Sequence, residues 1–239
     1  MQVTTKAIVF SSLKYGDTSL IVKAFTESDG LKSYLLKGIM ASKRGKLRVA
    51  HFQPLSQLEI VAVHRNKGTL ESIREAKTYY PYSSLYTDIA KNAMTQFLAE
   101  MLHNSIHEEE RNQDLYHFLE TTLQWLDAHD NIANFHLFFL LSLTRYLGFY
   151  PDTTHLNHPH FDLLEGEFVQ APSLNPMMPA EVLDHFKRLC NNDFGNIGQV
   201  EIKKSDRRLL LERMVLYFEL HLQGFRKPKS LAVLHEVFG

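Results

Sequence analysis

The chain has 239 residues, 44% hydrophobic and 22% charged, which is enough to bury a core without covalent staples. Its single cysteine, Cys190, excludes an internal disulfide and any zinc site built from several thiolates. The net charge of −1 conceals an asymmetry: residues 1–80 hold 13 Lys+Arg against 6 Asp+Glu, a surplus of seven, whereas residues 81–239 hold 13 against 21, a deficit of eight. A basic module joined to an acidic one points to a polyanionic partner for the first. No apolar run reaches the roughly 18 residues of a membrane span. The opening Met1-Gln2-Val3-Thr4-Thr5 lacks the basic and apolar regions of a secretory signal, so a cytoplasmic protein without membrane attachment is expected.

Residues 3–10 and 20–25 are short and rich in β-branched and aromatic side chains, which predicts strands. Ser28-Asp29-Gly30 then signals a tight hairpin leading into a strand over 31–36. A second pair, 58–63 and 69–76, is linked through Asn66-Lys67-Gly68. Five short strands and no long helix fit a five-stranded oligonucleotide-binding (OB) barrel, and an SH3-like barrel fits the same count. After Tyr79-Tyr80-Pro81-Tyr82 the period becomes helical. Ile89, Ala93, Met94, Phe97, Leu98, Met101 and Leu102 form one stripe, and Leu115, Phe118, Leu119, Leu123 and Leu126 form another. Residues 135–147 are apolar almost all round, as in a buried central helix, and stop at Gly148-Phe149-Tyr150-Pro151. Residues 151–178, with four prolines, read as irregular with a short hairpin at Glu165-Gly166. Helices follow over 179–190 and 205–222. The expected fold is α+β: an OB-fold barrel over 1–80 and an all-α helical domain over 81–239, with the irregular insert at about 151–178.

The stretch from Lys37 to Arg48 holds five cations (Lys37, Lys43, Arg44, Lys46, Arg48) and no anion in twelve residues. Such a segment lets ammonium and guanidinium groups reach successive phosphates and release their counterions. With one phosphate per cation, the log–log salt slope on a single strand is about −3.5. The segment is not a phosphate-binding P-loop. Six residues separate Gly38 from Gly45 where that motif has four, and Leu47 stands where a hydroxyl must hold magnesium. Lys14, Arg65, Lys67 and Arg74 extend the basic set. Tyr15, Tyr34 and Phe52 are the aromatic side chains available for base stacking, although filling the barrel core is the more ordinary use of each. Lys203, Lys204, Arg207 and Arg208 form a second cluster at a helix start, where cations oppose the helix dipole. Ser205 is the expected N-cap there.

His155, His158 and His160 lie close in the sequence, but no Cys or His lies between His160 and His185 to complete a compact metal site. No metal or other cofactor is expected. Nucleophile-elbow, zinc-protease and dinucleotide signatures are missing, and Glu108-Glu109-Glu110 reads as solvated surface, so no enzyme is expected.

Three runs are recognisable together: Ser33-Tyr34-Leu35-Leu36-Lys37-Gly38, Lys43-Arg44-Gly45-Lys46-Leu47-Arg48 and Phe52-Gln53-Pro54-Leu55-Ser56-Gln57-Leu58-Glu59-Ile60. With Leu147-Gly148-Phe149-Tyr150-Pro151, Ser205-Asp206-Arg207-Arg208-Leu209-Leu210 and Lys229-Ser230-Leu231, they resemble the bacterial RecO family in order and over nearly the whole chain. The resemblance implies an OB fold, a helical domain and a recombination-mediator role. Its implied partners are single- and double-stranded DNA, RecR, and the acidic C-terminal tail of single-stranded DNA-binding protein (SSB), with RecA loaded onto SSB-coated strands and complementary strands annealed. It also implies a nucleoid-associated location and no nucleotide hydrolysis. Many members carry four zinc-binding cysteines after the glycine–aromatic–proline segment; here Thr154, His155 and their neighbours stand in that place. Some members place an arginine before the phenylalanine that opens the central helix. Here Asn134 precedes Phe135, so that docking contact is either absent or supplied by Arg145 or Arg111.

DNA binding and strand annealing is therefore the expected function, with the Lys37–Arg48 cations, Lys14, Arg65 and Lys67 on phosphates and the 203–208 cluster as a second patch. One rival is an adaptor whose barrel binds acidic peptides. Another is a metal hydrolase centred on His155, His158 and His160.

Overall fold

The computed structural model describes residues 1–41, 47–65, 69–192 and 194–238. Strands β1 (Gln2–Tyr15), β2 (Ser19–Thr26), β3 (Gly30–Leu36), β4 (Gln57–Val63) and β5 (Ser72–Tyr80) form one antiparallel sheet in the order β3-β2-β1-β4-β5. Because side chains alternate across a strand, Ala7 and Val9, then Leu20, Val22 and Ala24, then Tyr34 and Leu36 point inward. They meet Leu58, Ile60, Ala62, Ile73 and Phe52, all buried. The sheet curls until β3 meets the start of β5 in parallel: Glu71 N–H donates to Ser33 O at 2.8 Å and Leu35 N–H to Glu71 O at 2.9 Å. Among the described residues that seam is one bridge long. The unit is thus an OB-like sheet in preference to an SH3-like one, and not a barrel closed by a continuous ladder.

The hairpin expected at Ser28-Asp29-Gly30 joins β2 to β3, with Gly30 at φ 65°. A side-chain network holds it. His64 Nδ1 lies 3.0 Å from Asp29 Oδ2, and His64 Nε2 lies 2.8 Å from the Tyr34 hydroxyl. Asp29 only accepts, so in the neutral imidazole Nδ1 carries the proton and Tyr34 donates to Nε2.

Helices α1 (Ile89–Ser105) and α2 (Gln113–Ala128) follow the predicted stripes. They form one compact unit with the sheet, Met1–Ala128, and a second unit spans His129–Gly239. The compact division therefore falls after α2, whereas composition and periodicity place the boundary near residue 80. Specific ties explain this. Phe25 stacks on Tyr116 at 6.3 Å between ring centroids, Lys6 pairs with Glu120 at 2.9 Å, and Gln57 Nε2 donates to Glu120 O at 3.0 Å. Asp127 accepts from the backbone N–H groups of Ser83, Ser84 and Leu85, which fixes the chain entering α1 to the end of α2. Burial raises the Asp127 pKa, but these hydrogen bonds more than offset that and hold it below the usual carboxylate value.

In the second unit α3 (Phe135–Tyr146) is buried along most of its length, as its all-round apolar sequence requires. Gly148 at φ 83° ends it. The predicted irregular segment contains a small hairpin, β6 (His160–Asp162) and β7 (Glu167–Val169), turning through Gly166 at φ 73°. Then come α4 (Ala180–Cys190), α5 (Lys204–His221) and α6 (Leu231–Phe238). The α5 cap is Lys203, not Ser205; Ser205 lies in the first turn, where its hydroxyl donates to Asp206 Oδ1 at 2.9 Å.

Candidate nucleic-acid interface

The cations of the sheet divide into two sets. Lys6 is held by Glu120, Lys32 lies buried 3.6 Å from Glu109, and Lys77 pairs with Glu59 at 2.7 Å. The middle carboxylate of the run read as solvated surface thus neutralises a β3 lysine, and Leu31 N–H donates to the neighbouring Glu108 O at 3.1 Å. Lys14, Lys37, Arg48 and Arg65 behave differently: all four are exposed, and none pairs with a carboxylate among the described residues. Arg74, exposed on β5, donates to Gln2 Oε1 at 2.8 Å. Lys43, Arg44, Lys46 and Lys67 lie outside the described residues.

Local folding places the unpaired set. Lys37 follows directly on β3, in a turn fastened to the β1–β2 hairpin, because Met40 N–H donates to Thr18 O at 2.9 Å and Gly38 N–H to Ser19 Oγ at 3.3 Å. Lys37 and Arg65 line one open groove of about 460 Å³ at the β3–β5 seam, floored by Leu35, Leu47 and Leu70. Arg48 is the residue after Leu47 and caps a single 3₁₀ turn, Val49–Phe52. Glu71 is the acid in this groove, and its Oε1 accepts from Arg65 N–H at 2.8 Å. Cations at the edge of a groove are the chemistry that meets phosphates by charge without selecting among bases.

Of the aromatic candidates, Tyr34 and Phe52 are buried in the sheet core, and Tyr15 is 56% exposed at the hairpin tip. Composition could not separate them; the register does. The solvent-facing aliphatic residues beside Tyr15 were missed because the strand prediction ended at residue 10.

The second cationic cluster is less uniform than its sequence. Lys203 and Lys204 are exposed. Arg207 turns inward, its Nε donating to Asn134 Oδ1 and its NH2 to Ile202 O, both at 2.9 Å, so it ties α5 to the start of α3. Arg208 lies 3.3 Å from Glu212. Arg207 is half-buried and has this structural tie beside its expected role on phosphate. Phe135 is corrected: it is fully buried, against Phe139 and Phe194, and offers no surface for docking. Arg145 lies at the far end of the same helix, roughly 15 Å along its axis, with its guanidinium 4.1 Å from the Tyr150 ring. Arg111 is exposed, in the first unit.

His155 and His158 stack on each other at 4.8 Å, and His158 Nδ1 lies 3.1 Å from Phe168 O. Among the described residues no group of three or more His, Cys, Asp or Glu is placed to hold a metal ion. No described helix is long and apolar enough to cross a membrane.

Two family models cover almost the entire chain: the N-terminal part of recombination protein O matches residues 1–82 and its C-terminal part residues 86–232. Proteins named DNA repair protein RecO are similar over full length. That of Flavobacterium psychrophilum is 49% identical over 238 residues, covering 100% of both chains. That of Phocaeicola vulgatus is 35% identical, covering 98% of both, and that of Porphyromonas gingivalis is 31% identical, covering 100% of both. The N-terminal match covers the five-stranded sheet and the C-terminal match the helices that follow it. The chain belongs to the RecO family of DNA repair and recombination proteins.

Proposed function

We propose that this chain binds single- and double-stranded DNA through the sheet's unpaired cations, anneals complementary strands, and helps load RecA onto SSB-coated single strands. The observation that carries this reading is the set Lys14, Lys37, Arg48 and Arg65, four exposed cations without carboxylate partners among the described residues, in a segment whose surplus charge is seven. Lys43, Arg44, Lys46 and Lys67 are counted in that surplus. Annealing needs only that repulsion between two strands be neutralised while most bases stay accessible, so the role requires no bond-making step and no cofactor. RecR and the SSB tail are the partners the family suggests, and nucleoid association follows from DNA binding. In the second unit an open groove of about 650 Å³ is lined by Ile197, Val200 and Ile202 with Lys203 and Arg207, and also by the acids Glu201 and Asp206.

Reversing Lys43, Arg44 and Lys46 together to Glu is expected to weaken DNA binding at low salt and flatten its salt dependence. Fluorescence anisotropy with labelled oligonucleotides of increasing length tests this. Unchanged affinity in the triple variant contradicts the reading, and binding independent of length favours an adaptor for acidic peptides.

A further inference from the structure

We propose that Tyr15 and the aliphatic row beside it form a base-stacking platform that pins a single strand at the tip of the β1–β2 hairpin. The proposal rests on the DNA-binding reading above and adds to it a contact made to bases, which duplex DNA cannot offer.

The platform arises from a break in strand register. Pairing between β1 and β2 shifts between Val9 and Ser11, so Phe10 is the extra residue of a bulge. Before the bulge, Ile8 pairs with Phe25 on the outer face, and α2 covers that region through the Phe25–Tyr116 stack. After the bulge, Ser11, Leu13 and Tyr15 point outward, because their partners Lys23, Ile21 and Ser19 alternate with the inward Val22 and Leu20. The row continues across the sheet: Leu13 pairs with Ile21, and Ile21 with Leu35. Leu13 is 63% exposed and Tyr15 56%. Thus exposed Leu13 and half-buried Ile21 and Leu35 share the outer face on neighbouring strands, with the Tyr15 ring two residues beyond Leu13 on the same strand. Met40, 45% exposed, lies in the turn bonded to the same hairpin.

The charges around the platform identify its occupant. Lys14 stands between Leu13 and Tyr15 on the opposite face of β1, and Lys37 adjoins Met40's turn and leads through the seam groove to Arg65. None of the three has a carboxylate partner among the described residues; Asp17, in the hairpin turn, is the local acid. An apolar and aromatic centre adjoining a groove lined by Lys37 and Arg65, with Lys14 on the other face of the strand, matches the chemistry of an unpaired polynucleotide, which presents flat apolar bases beside a chain of phosphates. A duplex offers the same phosphates but keeps its bases stacked inside. One aromatic ring engages one base, leaving those on either side free to pair, so the platform is compatible with annealing.

The test compares three labelled probes on the full chain: a 20-nucleotide oligo(dT), an abasic oligonucleotide of the same length, and a 20-base-pair duplex. The wild-type protein is expected to bind oligo(dT) more tightly than the abasic strand. Tyr15→Ala should weaken oligo(dT) binding by about 5- to 100-fold, leave duplex binding within about twofold, and abolish the preference for oligo(dT) over the abasic strand. Tyr15→Trp should retain the preference, and thermal unfolding of both variants should match the wild type, because the side chain is exposed. Equal affinity of the wild type for oligo(dT) and the abasic strand overturns the platform while leaving the phosphate interface standing. Equal losses on single strand and duplex overturn it as well, as does a Tyr15-dependent self-association with unchanged DNA binding. Failure of the wild type to bind any of the three at low salt removes the underlying DNA-binding reading too.

Discussion

His136 illustrates how much of the chemistry in the second unit is set by burial. Its ring is 1% exposed on α3, and its Nδ1 has no hydrogen-bond partner among the described residues. Burial pushes its pKa down to about 3, with the positive charge of Arg207 and then His235 acting in the same direction. The folded state therefore refuses a proton that the unfolded chain accepts below about pH 6.5. Stability is full above that pH and falls as pH drops from about 6.5 toward 3, by on the order of 2 kcal/mol at pH 5. His136→Leu is expected to flatten the profile between pH 6.5 and 4, read from urea midpoints. Arg207 gives a second prediction at this scale. Removing its bonds to Asn134 and Ile202 by Arg207→Ala should destabilise the protein by about 1–3 kcal/mol, whereas Lys203→Ala with Lys204→Ala should stay within about 0.5 kcal/mol. Equal losses in thermal unfolding contradict the division between structural and surface cations. Sequence could not make that division: four cations in six positions look alike until the fold decides which one meets a carbonyl.

Among the elements, the hairpins were the most legible and the bulge the least. Asp29-Gly30 announced a turn because few residues adopt positive φ there, and Gly30 does so at 65°. A Cβ at that position would also lie 2.2 Å from Glu110 O, so the turn is pressed against the loop before α2. Gly16, at φ 61°, has open space around it. Gly30→Ala should therefore cost clearly more stability than Gly16→Ala, whose loss should be about 1–2 kcal/mol; chemical denaturation compares the two. By contrast, alternation of apolar and polar residues fails at Phe10, where the bulge shifts the period, so the strand was read as ending there although it runs to Tyr15. The outer row of Leu13, Ile21 and Leu35 depends on that shift and was invisible for the same reason. The helical stripes were legible in α1 to α5, while the eight residues of α6 are too few for periodicity to register.

For the molecule as a whole, charge separation was visible in the sequence and carries the functional reading, and the period change near residue 80 coincides with the gap between the two family matches, 1–82 and 86–232. The change from strand to helix period near residue 80 marks a change of secondary structure. The compact unit instead extends to Ala128, because α1 and α2 bury the outer face of β1 and β2. Acidic side chains of α2 and of the loop before it also decide which basic side chains of the sheet are paired: Glu120 takes Lys6 and Glu109 takes Lys32, while Lys14, Lys37, Arg48 and Arg65 meet no carboxylate among the described residues. On the proposed function, that sorting lets a nearly neutral chain offer cations to phosphates. The most direct measurement is the affinity for a fluorescent single-stranded oligonucleotide across a salt series, with wild type beside the Lys43, Arg44 and Lys46 to Glu triple variant. With at least five phosphates neutralised, log affinity should fall linearly against log salt with a slope of about −3.5 or steeper for the wild type, shallower by about 2 in the variant. A slope near zero in the wild type, or the same slope in both proteins, contradicts the account.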